Sequence, residues 1–366
     1  MRDRIPLYPG RVKLTAVDGQ PGVYDMVRAD EATEQGTPLS KATLLDDDTA
    51  ESYGLNKDTA VPNDAFKLIN GLLVGPNRYV TVTVKTEGGA PIPDVEITGI
   101  TTVSGGIAKT DATGTVFGVA AAEQTTIAAA KQYTDINIPS QTITTPAGKF
   151  TAVTLIGTLI DFVAFETTAT VIMSPLATRV DVSLVGGGNG GNPGTVNPGS
   201  SSGHSGAGGD GGKIATFENV DFSANVEYTA QIGAGGTKNG GVGGDTGVFG
   251  KTSASGQQAK GGGYRTSTAN GIAGGDGSPA FISFTETELF GGAGGGGAYG
   301  SNKSGGAGGA GGGGAGGGGA ENGESATKPG GGSGGGGSIP YMGEDEQASG
   351  YGPAGKSGYI GMRIYH

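Results

Sequence analysis

Residues 178–191 read TRVDVSLVGGGNGG, and the break inside this stretch decides the fold. Val180, Val182 and Leu184 alternate with Asp181 and Ser183, the period-two pattern of a strand that buries one face. At Gly186 the chain passes into glycine. Sixteen of the 79 glycines precede that residue, which leaves 63 in the 181 residues from Gly186 onward, over a third of them, against roughly 7% in ordinary proteins. Glycine loses the most backbone entropy on folding and brings no side chain to bury, so strands must hold such a region together. Two further stretches repeat the alternation, with Val226, Tyr228, Ala230 and Ile232 in one and Ile360, Met362 and Ile364 in the other. They predict the strands of one sandwich, with the glycine tracts as its loops.

The tracts GGAGGGGAYG (291–300) and GGAGGAGGGGAGGGGA (305–320) allow two readings. As linkers they are flexible coils. As polyglycine-II helices, with three residues per turn and no internal hydrogen bonds, they leave every N–H and C=O free to bond laterally to adjacent helices. Satisfying those groups between helices offsets part of the glycine entropy and gives a rigid tip without a hydrophobic core.

Upstream, RVKLTAV (11–17) alternates as a strand does. TPLSKATLLDDDTAESYGL (37–55) carries Ser40 as an N-cap before a helical pattern of Leu44, Leu45 and Ala50, and PNDAFKLINGLL (62–73) opens a second short helix on Pro62 and Asn63. From residue 76 the character is all β. Val80, Val82 and Val84 alternate with Thr81 and Thr83, Gly88-Gly89 turns the chain, Val95 and Ile97 resume, and Asp111 to Gly114 make another turn.

Three resemblances follow these divisions. GTPLSKATLLDDDTAESYGL with VPNDAFKLI resembles the N-terminal segment of tail-fibre and baseplate-attached proteins of phages and prophages of Gram-positive hosts, over about the first 70 residues. GGAPIPDVEIT with KTDATGTVFGVA resembles carboxypeptidase regulatory-like domains, small β-sandwiches related to transthyretin and immunoglobulin-like modules. The glycine-rich half resembles the C-terminal domain common in phage tail fibres, in which a VxVxLVGGGGGG strand opens the domain and a short hydrophobic strand closes it. Together they imply a mainly β, modular chain: a small α+β attachment segment (1–75), an immunoglobulin/transthyretin-like β-sandwich serving as spacer (76–159), and a glycine-rich β tip domain with polyglycine-II packing as one of its two readings (160–366). By the same resemblance the chain is a non-enzymatic structural and receptor-binding protein of the virion, assembled in the host cytoplasm. Its expected partners are other tail or baseplate proteins through residues 1–75 and a host cell-surface glycan or protein. A homotrimer is expected because fibres are commonly three-fold. The competing readings are a virion decoration or neck protein without receptor contact, and an extracellular glycan-binding or glycan-cleaving protein.

Composition narrows the chemistry. The net charge is −11 and each of the segments 1–75, 76–185 and 186–366 is mildly acidic, so no basic cluster suits nucleic acid. With no Cys and only His204 and His366, thiolate and histidine-rich metal sites are excluded. No apolar run reaches the length of a membrane span. No cofactor is expected.

Several motifs compete with this reading. Residues 350–357, GYGPAGKS, satisfy the phosphate-loop pattern G-x-x-x-x-G-K-[ST]. Such a loop needs a buried strand before it and a helix after it, whereas here GEDEQAS (343–349) precedes Lys356 and a nine-residue stretch of strand character follows Ser357. The motif is read as a turn into the last strand. GHSGA (203–207) matches a nucleophile elbow around Ser205 but lies among glycine and serine, and it is read as a polar loop. GGVGGDTGV (240–248) misplaces the hydrophobic residue of a calcium-binding nonapeptide at Val248 and stands alone. Asp46-Asp47-Asp48 and Glu344-Asp345-Glu346 are adjacent carboxylates that diverge instead of converging, and they are read as solvated. More pointed are the aromatics set in the tracts: Tyr264, Tyr299, Tyr341 and Tyr351. A tyrosine on a glycine loop offers a flat apolar face and a hydroxyl for a sugar or a protein groove. These four are the candidate receptor-binding residues, with Tyr299 and Tyr341 expected to be exposed on the longest loops.

Overall fold

The computed structural model describes residues 5–6, 12–28, 32–34, 45, 48, 50, 55, 58–67, 77–196, 202–254, 256, 259–339 and 348–366. Ser40, Leu44, Asp46, Asp47, Tyr341 and the run Glu344-Asp345-Glu346 lie outside them. The chain divides into two compact units, Met1–Tyr79 with Thr145–Phe150, and Val80–Thr144 with Thr151–His366.

In the first unit Val12–Ala16 pairs antiparallel with Tyr24–Arg28. Cross-strand partners share a face, so Val12, Leu14, Tyr24 and Met26 lie together, and all four are exposed. A short helix covers 62–67. Pro62 stands at its first turn, where the missing N–H costs nothing, and the Asp64 carboxylate reaches back to accept from Val61 N at 3.1 Å. Leu45, Ala50, Ala60 and Ala65 form a small core beside Leu55.

The second unit begins with the all-β segment, which forms one curled, half-barrel sheet. Its order is Ile136–Asn137, Lys149–Leu159, Arg78–Thr86, Thr115–Ala120, Glu96–Thr101, Gln124–Ala129 and Gln141–Thr144, with Ile107–Lys109 paired to Glu96–Thr101. Alternation dictates the interior. Val80, Val82 and Val84 are fully buried and meet Ile92, Val95, Ile127, Ile136 and Leu155 in one core. Burying each such side chain contributes about 1.5–3 kcal/mol. At the 111–114 turn, Gly114 takes φ +71°, and the Asp111 carboxylate accepts from Thr113 N, Thr113 Oγ1 and Thr115 N. Those bonds, the Thr113 hydroxyl foremost, hold the Asp111 carboxyl below its ordinary range.

Within TRVDVSLVGGGNGG the strand is Arg179–Val185. It lies between Tyr359–Tyr365 and Ile214–Phe217, and Phe162–Phe165 borders the far side of Tyr359–Tyr365. Glu227–Ala230 pairs instead with Ala169–Ile172 in a second, two-stranded sheet. Val180, Val182, Leu184, Ile360, Met362 and Ile364 pack with Val171, Met173 and Phe249 between them. The other face of Arg179–Val185 is buried as well. There Asp181 accepts from Arg179, from Asn219 N at 2.7 Å and from Tyr365 Oη at 3.1 Å. Burial alone raises the Asp181 carboxyl, but these donors outweigh it and hold the group below its usual range.

The glycine tracts are neither coils nor loops of this sandwich. The run 291–300 shows their order. Gly292, Gly295 and Ala298 donate to the carbonyls of Gly311, Gly314 and Gly317; Ala293, Gly296 and Tyr299 donate to Gly275, Ile272 and Ala269; Gly294 and Gly297 donate to Gly209 and Gly206. Its carbonyls accept in the same rhythm: Gly292, Gly295 and Ala298 from Gly332, Gly335 and Ser338, Ala293 and Gly296 from Gly309 and Gly306, and Gly294 from Gly262. Every third residue therefore turns to the same neighbour, and one run has six neighbours, which is the packing of polyglycine-II helices. The runs 186–194, 205–213, 269–277, 330–338 and 350–358 follow the same rule. A Cβ on Gly294 would lie 2.0 Å from the Ser333 carbonyl oxygen, so that position admits glycine alone, whereas Ala293 and Ala298 fit elsewhere in the same run.

The curled sheet meets the sandwich at the base of the glycine lattice in a polar joint inside this unit. Asp135, fully buried, accepts from Ser174 N at 2.8 Å and Ser174 Oγ at 2.6 Å, and His366 Nε2 lies 3.3 Å from its Oδ2. Thr134 N donates to Ile172 O, and Tyr133 Oη donates to Asn225 Oδ1 at 2.7 Å.

Candidate functional site

Strands Arg179–Val185, Ile214–Phe217 and Tyr359–Tyr365 form the base from which runs 186–194, 205–213 and 350–358 extend. The lattice bonds fix where the opposite ends lie. Gly194 donates to Gly350, Ser205 to Arg265, Tyr299 to Ala269, Gly337 to Glu321 and Ala298 to Gly317. Residues 195–196, 203–204, 265–269, 299–304, 318–322, 338–339 and 348–350 therefore share one rim, far from the base along the runs. Two small hairpins cap it, Thr195–Val196 with Gly203–His204 and Ser338–Ile339 with Ala348–Ser349.

Side chains return at this rim. Tyr264 is 58% exposed, and its ring lies 5.3 Å from that of His204. Tyr351 is 48% exposed; its N–H donates to Asn322 Oδ1 at 3.0 Å, and Lys238 Nζ stands 5.5 Å above its ring. Cation–π contact of this kind fixes the ring while leaving its other face free. Tyr299 departs from its expected exposure. It is 4% exposed because Ala269 bridges it on one side and Ser338 on the other, so it closes the lattice from within. Tyr341 lies outside the described residues. Of the four candidates, the structure presents Tyr264 and Tyr351. His204, Lys238 and Asn322 were not singled out in the sequence, since each comes from a run remote in the chain from the tyrosine it touches.

The competing motifs are absorbed into the lattice. GYGPAGKS is an extended run and not a turn: Gly194, Gly191 and Gly188 donate to Gly350, Pro353 and Lys356, while Gly355 and Lys356 spend their own N–H groups on Gly236 and Gly331. Amides committed to carbonyls cannot cradle a phosphate. Ser205 is fully buried, and its hydroxyl accepts from Arg265 N at 2.8 Å. Asp48 is helical and exposed. Among the described residues no cluster of three His, Cys, Asp or Glu could hold a metal, and no helix is long and apolar enough to cross a membrane.

No protein-family profile matches this chain, and no curated protein is significantly similar to it.

Proposed function

We propose that this is a structural, receptor-binding protein of a phage tail or tail-like particle, which presents the rim of its glycine lattice to the bacterial surface and joins the particle through its N-terminal unit. The observation that carries the reading is the contrast along each run: backbone packed on backbone in the interior, and exposed aromatic side chains, Tyr264 and Tyr351, at the far ends. A rigid stalk with tyrosines at its tip is suited to stacking on sugars or seating in protein grooves, and it spends no binding energy on ordering the loops. Attachment through the first unit is supported by the apolar face of its hairpin, which a lone two-stranded ribbon cannot bury. A homotrimer in the virion multiplies weak single contacts into useful avidity.

The test is competition. The full-length protein is expected to block adsorption of its particle to host cells, and a Tyr264→Ala/Tyr351→Ala variant of unchanged melting temperature to lose that ability. If the wild-type chain does not compete, and a label near residue 366 locates to the head or neck of intact particles, the decoration reading replaces this one.

A further inference from the structure

The curled sheet does not close. At one end of its order stands Ile136–Asn137, whose outer edge pairs with no strand among the described residues; at the other stands Gln141–Thr144, whose pairing with Gln124–Ala129 stops at Gln141 opposite Ile127. Beyond that point Ala128 and Ala129 keep their partners Thr98 and Ile97 on one side only. The gap between these edges is a cavity of about 700 Å3, within the range of small-ligand sites, about 300–1,000 Å3.

Its lining is layered. Tyr133 and Ile136 are buried and Ile138 half-buried, forming an apolar floor, while Gln132 and Asn137 are exposed at the edge beside half-buried Lys131. The edge is held in place from the sandwich side by Asn225, a residue at φ +62°. Asn225 O accepts from Lys131 Nζ at 2.8 Å, its Oδ1 accepts from Tyr133 Oη at 2.7 Å, and its Nδ2 donates to Asp94 O at 3.3 Å. The Tyr133 hydroxyl is thus committed, and the floor remains apolar.

From these features we infer that the open seam is a saccharide-binding site for a neutral unit of one or two pyranose rings. Each hydroxyl of a sugar both donates and accepts, and so do the amides of Gln132 and Asn137. The C–H face of a pyranose matches the accessible apolar groups of the lining, half-buried Ile138 and Ile160 and exposed Pro139. Lys131 is the one charged group in the lining, too little to hold a phosphodiester chain and no obstacle to a neutral ring. Sites in the mouths of incompletely closed β-barrels take ligands of this kind. The site is separate from the rim and does not depend on the tip reading.

Ligand-observed saturation-transfer NMR on the full-length protein tests it, with glucose, galactose, N-acetylglucosamine, maltose and cellobiose as probes at millimolar concentration. At least one is expected to receive saturation. Gln132→Ala/Asn137→Ala, which alters exposed positions only, is expected to weaken that probe about tenfold or more, and Tyr264→Ala/Tyr351→Ala to leave it unchanged. Silence across the panel overturns the inference. So does a signal that survives the seam variant, and a signal abolished by the tip variant alone moves sugar binding to the rim.

Discussion

The two halves of the second unit bury their chains by opposite means. In the curled sheet, Val80, Val82, Val84 and Leu155 fill a core with side-chain volume, and the backbone bonds only to adjacent strands. In the lattice around 291–300 no such volume exists, and that run bonds to neighbours on all sides. The first solution is limited by what the side chains fill and the second by how closely backbones approach. A core of the first kind tolerates removal of atoms better than a lattice tolerates their addition.

Adding one carbon is therefore the most damaging change. Gly294→Ala, whose new Cβ would meet Ser333 O at 2.0 Å, is expected to cost about 4 kcal/mol or more by chemical denaturation, since backbone must shift. Leu155→Ala removes three carbons from the other core and is expected to cost about 2–5 kcal/mol. If the glycine substitution proves the milder, the lattice is softer than its geometry implies.

A smaller effect compares the regions through pH. Burial pushes Tyr133, beside the curled sheet, up to about 12, aided by Glu96, Asp135 and Asp94, and burial likewise pushes Tyr359, at the lattice base, to about 12. A raised folded-state value means the folded chain holds the phenol proton more tightly. That contribution is complete below pH 10, the ordinary tyrosine value, and is lost as pH rises towards 12. Melting temperature should fall over that interval, and Tyr133→Phe and Tyr359→Phe should each flatten the fall while sacrificing one hydrogen bond, to Asn225 and to Phe281 O respectively. Smallest of all, Ala307→Gly at an exposed lattice position should change stability by no more than about 0.5 kcal/mol, measured in the same denaturation series.

How much of this was legible depends on where the information resides. Strands announce themselves through side chains, so Val80–Val84, Val180–Leu184 and Ile360–Ile364 could be placed, and their burial on one face follows from alternation. Asp181 and Ser183 could not, because the layer that covers their face comes from residues far along the chain. Within the tracts a glycine carries no mark of its neighbour, so the six-fold environment of 291–300 and the burial of Tyr299 have no local signature. The polyglycine-II reading was available as chemistry, whereas its register was not. Of the site, Tyr264 and Tyr351 were visible as isolated aromatics; Lys238 and Asn322, which hold Tyr351, become neighbours only through the lattice.

The strand Tyr359–Tyr365 occupies a middle place in its sheet, with Phe162–Phe165 on one side and Arg179–Val185 on the other. Phe162 thereby meets Arg363 across about 200 positions of sequence. The sheet must wait, open in the middle, until every glycine run has left the ribosome. Assembly is then gated by one late insertion, and renaturation should proceed slowly.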